Sequence, residues 1–140
     1  MVNGMPELSE YLPDMRQYLL EYPRPGPRPT TSFVYWQEAQ FGLKPTIRLN
    51  HVAIQEEKDG TIVASKQLYS SHYFWTALEL RALVPDPARG TGFWFVNVNR
   101  SRSDGLTGFV GRIIRGKVRE GARKGIESAL TGTRKKLEAR

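Results

Sequence analysis

Two histidines stand in this sequence, His51 and His72, and an imidazole can act as a general base or a metal ligand. Both fall in β-prone runs, from which they could face one another across a sheet. A base or metal site also needs a partnered carboxylate or a third ligand, and none stands at a recognisable spacing. The expectation is therefore two buried or edge-packed histidines with ordinary hydrogen bonds. Ser70, Ser71 and His72 are sequence neighbours, but neighbours on a strand point to opposite faces, and no glycine-flanked nucleophile elbow is present. Gly90-Thr91-Gly92 precedes a strand instead of opening a helix, so it reads as a turn and not as a phosphate loop. The absence of cysteine excludes thiol nucleophiles, disulfides and cysteine-ligated metals. Glu79 and Arg81, two apart on a strand, share a face and read as a surface or interface ion pair. No catalytic residue, metal site or cofactor is assigned.

Charge gives the one constellation with spatial coherence. Residues 1–111 hold 11 basic and 11 acidic side chains, so the net charge of +7 arises wholly in residues 112–140. On a helix, Arg112, Arg115, Arg119, Arg123 and Arg134 fall within about 100° of surface. Guanidinium groups so arranged suit an anion-binding role toward phosphates or an anionic membrane surface. The segment from Arg112 onward contains no Phe, Tyr or Trp to stack on bases, which places nucleic acid behind other anionic partners.

Behind these residues stand the elements that must position them. At 140 residues with 39% hydrophobic and 25% charged composition, the chain has the size and make-up of one soluble globular domain. No apolar run reaches the ~20 residues of a membrane span, and no signal-peptide layout opens the sequence given; the compartment is undetermined. Leu8, Tyr11, Leu12, Met15, Leu19 and Tyr22 follow helical spacing, with Pro13 dividing a looser first turn from a regular helix over Pro13 to Glu21. Alternating prolines from Pro23 to Pro29 make an extended spacer, so residues 1–30 read as an N-terminal helix with a Pro-rich connector.

Residues 31–140 read as a single α+β domain: an antiparallel meander sheet packed against a long C-terminal helix. Phe33 to Trp36, Thr46 to Gln55, Thr61 to Leu83 and Phe93 to Val98 are strand-like, and Asp59-Gly60 is the strongest hairpin signal. More than 20 strand-like residues after Thr61 demand a bend, placed near Ser70-Ser71. Counted along that run, Tyr69, Tyr73 and Trp75 point one way and Leu68, His72, Phe74, Leu78 and Leu80 the other. Large apolar groups on both faces imply that each is covered by a helix, another subunit or a bound apolar molecule.

A helix is expected from Ser103 or Asp104 to the end, since the segment lacks proline. Leu106, Phe109, Val110 and Ile113 share one side, and Val118, Ala122, Ile126, Leu130 and Leu137 the other, so the helix breaks near Gly116 or buries its halves differently. Gly121, Gly125, Ser128 and Gly132 make a small-residue edge suited to close packing.

A sheet ending in Phe93-Trp94-Phe95-Val96-Asn97-Val98, followed by a helix closing with Leu130-x-x-x-Arg134-Lys135-Lys136-Leu137-Glu138, resembles the C-terminal half of the START-like, or helix-grip, superfamily. The match lies in the order of elements over residues 46–140. It departs from that pattern in having four or five strands where seven are usual, and no strand before the first helix. The resemblance implies a curved sheet wrapped around the last helix, with a hydrophobic ligand between them. Phe33-Val34-Tyr35-Trp36 and Phe41-Gly42-Leu43-Lys44-Pro45 are also similar to the C-terminal region of longer uncharacterised bacterial proteins; if the chain is a piece of one, Met1–Gly4 is partly vector or linker sequence. The expected function is a non-enzymatic binding module for a lipid or other hydrophobic small molecule, lined by His72, Phe74, Leu78, Phe93 and Phe95. The alternatives are nucleic-acid or anionic-surface binding through the arginine stripe, and an interaction domain forming a homo-oligomer. An enzyme ranks last.

Overall fold

The computed structural model describes residues 1–24, 31–41, 44–103 and 108–139, with the backbone alone at 39–41, 44, 108–115 and 117–118. The chain divides into two compact units, Met1–Ser103 and Asp104–Arg140. The first opens with a 3₁₀ turn, Val2–Gly4, and two short helices, α1 (Pro6–Tyr11) and α2 (Pro13–Glu21). Five strands follow: β1 (Thr31–Phe41), β2 (Lys44–Glu57), β3 (Gly60–Ser70), β4 (Phe74–Pro85) and β5 (Phe93–Ser103). They pair in sequence order, each antiparallel to the next. The second unit is the helix α3 (Gly108–Glu138). The fold is thus α+β: an antiparallel meander with short N-terminal helices and a long C-terminal helix.

Pro13 sets the shape of the N-terminus. Its ring cannot continue α1, and Leu12 before it adopts φ −136°, ψ 53°, so the chain re-aims there and proline occupies the first turn of each helix. The apolar stripe survives the kink. Leu8, Met15, Tyr18 and Leu19 are buried together with Val2 and Met5, whereas Tyr11, on the last turn before the kink, is 71% exposed. Burial of a side chain such as Leu8 or Leu19 stabilises the fold by roughly 1.5–3 kcal/mol relative to leaving it in water. Val2 and Met5 therefore belong to the core.

These helices cover one face of the sheet. The core they close contains Ala53, Ala64, Leu78 and Leu80, with Ile62 and Val98 at its margin. Register explains the choice: Ala53 pairs with Ala64, Ala64 with Leu80 and Leu80 with Val98, so one row across β2–β5 presents small side chains centrally and larger ones beside them. Arg100 on β5 donates to the Gly4 carbonyl and ties the first turn to the far side of the sheet.

The turns fix that register. Glu57 pairs with Gly60 across the two-residue loop Lys58-Asp59, where the hairpin was expected. Gly60 sits at φ 147°, and a Cβ there would collide with the Leu83 carbonyl oxygen of β4. The bend foreseen near Ser70-Ser71 is a complete reversal through Ser71–Tyr73, with Tyr73 at φ 67°. It is held by Ser71 N–H donating to the Ile47 carbonyl at 2.9 Å and by the Ser71 hydroxyl accepting from Ile47 N–H at 3.0 Å. Because the chain turns back there, the alternation counted from Tyr69 through Leu80 does not carry across it.

β5 continues to Ser103, five residues beyond its expected end, and α3 is unbroken at Gly116. The expected N-cap Asp104, the connector from Pro25 to Thr30, and Leu106 lie outside the described residues. Among the described residues no helix is long and apolar enough to cross a membrane.

Candidate functional site

The sheet face turned away from α1 and α2 carries a depression of about 400 Å³. Phe33, Tyr35, Val52, Ile54, Val63, Ser65, Glu79 and Arg81 line it. Strand periodicity supplies the set: each contributing strand gives two residues separated by one, so all project to the same side. Strand pairing then arranges them in rows. Phe33 pairs with Val52, Val52 with Ser65 and Ser65 with Glu79. In the adjacent row Ile54 pairs with Val63 and Val63 with Arg81. The lining is consequently graded, from aromatic at β1 through aliphatic at β2 and β3 to charged at β4. The Phe33 and Tyr35 rings lie 6.3 Å apart, tilted by 45°, and form the apolar end wall.

The polar end is organised by its own hydrogen bonds. Arg81 donates from Nε to Glu79 Oε1 at 3.1 Å and from Nη2 to Oε2 at 2.9 Å, a fork-on-fork pair. Asn97 on β5, opposite Arg81, donates from Nδ2 to Glu79 Oε1 at 2.8 Å. The Glu79–Arg81 pair expected from their spacing is present, and it sits at the edge of the depression.

A second cluster lies on the covered face. His51 is fully buried, with the Tyr22 ring stacked on it at 3.7 Å and Tyr18 at 5.7 Å. Its register partner Lys66 donates from Nζ to the Leu19 carbonyl in the last turn of α2 and stands 5.9 Å from the Tyr22 ring centre. Neither His51 ring nitrogen has a hydrogen-bond partner among the described residues, where ordinary hydrogen bonds were expected. Burial lowers the His51 pKa, and the nearby Lys66 charge lowers it further; burial also lowers that of Lys66. Among the described residues no group of three or more His, Cys, Asp or Glu could hold a metal ion. The cluster seats α2 on the sheet.

The five residues expected to line one cleft are spread over the sheet. His72 is exposed in the β3–β4 turn. Phe74, the first residue of β4, lies under the Arg48 guanidinium, 5.5 Å from its ring centre. Leu78 is in the core beneath the N-terminal helices. Phe95 pairs with Leu83 and Phe93 with Pro85, on the same face as the depression but beyond its lining. Phe74 and Phe93 stand at opposite ends of the β4–β5 ladder. Phe33, Tyr35, Val52, Ile54 and Val63 went unassigned at the sequence level, although their i, i+2 spacing in β-prone runs was the available signal.

On α3, Arg119, Arg123 and Arg134 are exposed, while the side chains of Arg112 and Arg115 lie outside the described residues. Arg123 pairs with Glu127 at 3.5 Å and Arg134 with Glu138 at 2.7 Å, both one helical turn apart. The chain matches no family model, no curated protein and no solved structure.

Proposed function

We propose that this chain is a non-enzymatic binding module for a lipid or other hydrophobic small molecule, taken up on the sheet face opposite α1 and α2. The observation that supports this reading is the graded depression: five aromatic or aliphatic side chains grouped around a space of about 400 Å³. That volume falls within the roughly 300–1,000 Å³ typical of small-ligand sites, which are mostly apolar with a few placed polar groups. Membership of the helix-grip group is part of the same proposal, since that resemblance implies a hydrophobic ligand held against the sheet. The test is titration with the neutral apolar dye N-phenyl-1-naphthylamine, whose emission rises on entering an apolar site. Saturable binding by the natural chain, weakened at least about tenfold in Val63→Trp, supports the proposal. Equal dye response in both proteins removes it.

A second reading rests on α3, whose exposed Arg119, Lys124, Lys135 and Lys136 sit on the same helix as the exposed Ile126 and Leu137. This combination suits an anionic membrane surface. Sedimentation with phosphatidylserine vesicles that disappears on raising the salt supports it; binding unaffected by salt argues against it.

A further inference from the structure

From the charge arrangement at the β4 end of the depression we infer that the ligand is a neutral amphiphile with a hydroxyl head, an alcohol or phenol, and not a carboxylate or phosphate. This rests on the proposal that the depression is a ligand site. The lining has two ionised side chains, Glu79 and Arg81, and they neutralise one another through two hydrogen bonds. Asn97 holds the carboxylate in place from β5. An anionic head could reach only the guanidinium N–H groups that Glu79 leaves free, and there it would stand beside the Glu79 carboxylate as a second negative charge. An ammonium head at Glu79 would stand beside the Arg81 guanidinium in the same way. Repulsion by the like charge held one hydrogen bond away offsets what the new contact contributes, so the neutralised pair favours neither ion.

A hydroxyl avoids that repulsion. Glu79 Oε2 accepts from Arg81 Nη2 and retains lone-pair capacity for one more donor. Ser65 stands directly opposite Glu79 in the β3–β4 register, and its hydroxyl can donate as well as accept. A ligand oxygen at this end can thus donate to Glu79 while accepting from Ser65, with the ion pair intact. Its hydrocarbon body then extends along Val52, Ile54 and Val63 toward Phe33.

The experiment is displacement of N-phenyl-1-naphthylamine by 1-dodecanol and by dodecanoate at about pH 7.5, where the acid is ionised. The expected result is half-displacement by the alcohol at a concentration about tenfold or more below that of the carboxylate. In Glu79→Gln the guanidinium loses its counter-charge, so the preference should fall by at least about tenfold or invert. In Arg81→Gln the remaining carboxylate should disfavour dodecanoate further while dodecanol stays within about threefold, which provides a second arm if Glu79→Gln does not fold. Equal displacement by the two amphiphiles in the natural chain, or a preference unchanged in both variants, overturns the inference. Failure of the dye to bind, or its indifference to Val63→Trp, overturns the ligand site itself and is seen before any head group is compared.

Discussion

The Tyr22 ring stacks on His51 with centroids 3.7 Å apart and planes inclined by 23°, so the residue that ends α2 covers a fully buried imidazole of β2. The folded state holds this imidazole neutral, its pKa lowered by burial first and by Lys66 second. In the unfolded chain it titrates near its ordinary value of about 6.5. The unfolded state therefore binds more protons as pH falls below that value, and stability that is complete above about pH 6.5 declines progressively on acidification. Urea midpoints measured between about pH 8 and pH 5 should fall, and His51→Leu should flatten part of that slope. Neither ring nitrogen is hydrogen-bonded among the described residues, so the leucine variant should be at least as stable as the natural chain at neutral pH. An unaltered slope in His51→Leu would show that the acid response originates elsewhere.

Lys66 acts on the same imidazole from the adjacent strand. Its charge contributes to holding the His51 pKa down, and its ammonium donates to the Leu19 carbonyl near the end of α2, where a cation also complements the helix dipole. Lys66→Met should raise the His51 pKa toward the ordinary value, visible in the imidazole proton shifts. It should also destabilise the fold by about 1–2 kcal/mol through the orphaned carbonyl and the lost helix-end charge. A His51 titration identical in the two proteins would contradict the coupling.

Two residues of the N-terminal stripe should respond oppositely to truncation. Leu19 is fully buried in the core and Tyr11 is exposed. Leu19→Ala should cost about 2–5 kcal/mol, the range for a buried leucine that leaves a cavity. Tyr11→Ala should change stability by no more than about 0.5 kcal/mol. Denaturant melts of the two variants decide this, and similar losses would mean that α1 and α2 are not seated as described.

Local signals made the N-terminal helices and the β2–β3 hairpin legible. Proline at position 13 dictates a kink by its own covalent geometry, and Asp59-Gly60 specifies a tight hairpin whatever its surroundings. The sheet's two-sided apolar character was also readable, because both parities of the strands carry large hydrophobic residues. The composition of the depression was not. Whether Val52 neighbours Phe33 and Ser65 depends on register across three strands, which no single run of sequence contains. Parity counted through residues 61–83 also placed Phe74 with Leu78, since a strand-like run does not announce the register shift between Phe74 and Thr76 in β4. His51 shows the same limit: its run reads as a strand, while its stacking partner Tyr22 comes from the far side of the proline-rich connector.

One substitution should have opposite signs at two glycines. Gly60 adopts φ 147°, and an added methyl would meet the backbone oxygen of Leu83, an atom held in the β3–β4 ladder that cannot move aside without breaking register. Strain of this kind costs about 1–3 kcal/mol before the collision is counted, so Gly60→Ala should lower the urea midpoint markedly. Gly121 has helical neighbours on both sides in α3, and a methyl there meets none of the described atoms within 4 Å beyond its own helical turns. Glycine in a helix interior is about 1 kcal/mol less favourable than alanine, so Gly121→Ala should increase helical content by circular dichroism. A loss of helix in Gly121→Ala would reveal a close neighbour to that backbone, and a neutral Gly60→Ala would mean the hairpin relaxes in a way its register forbids.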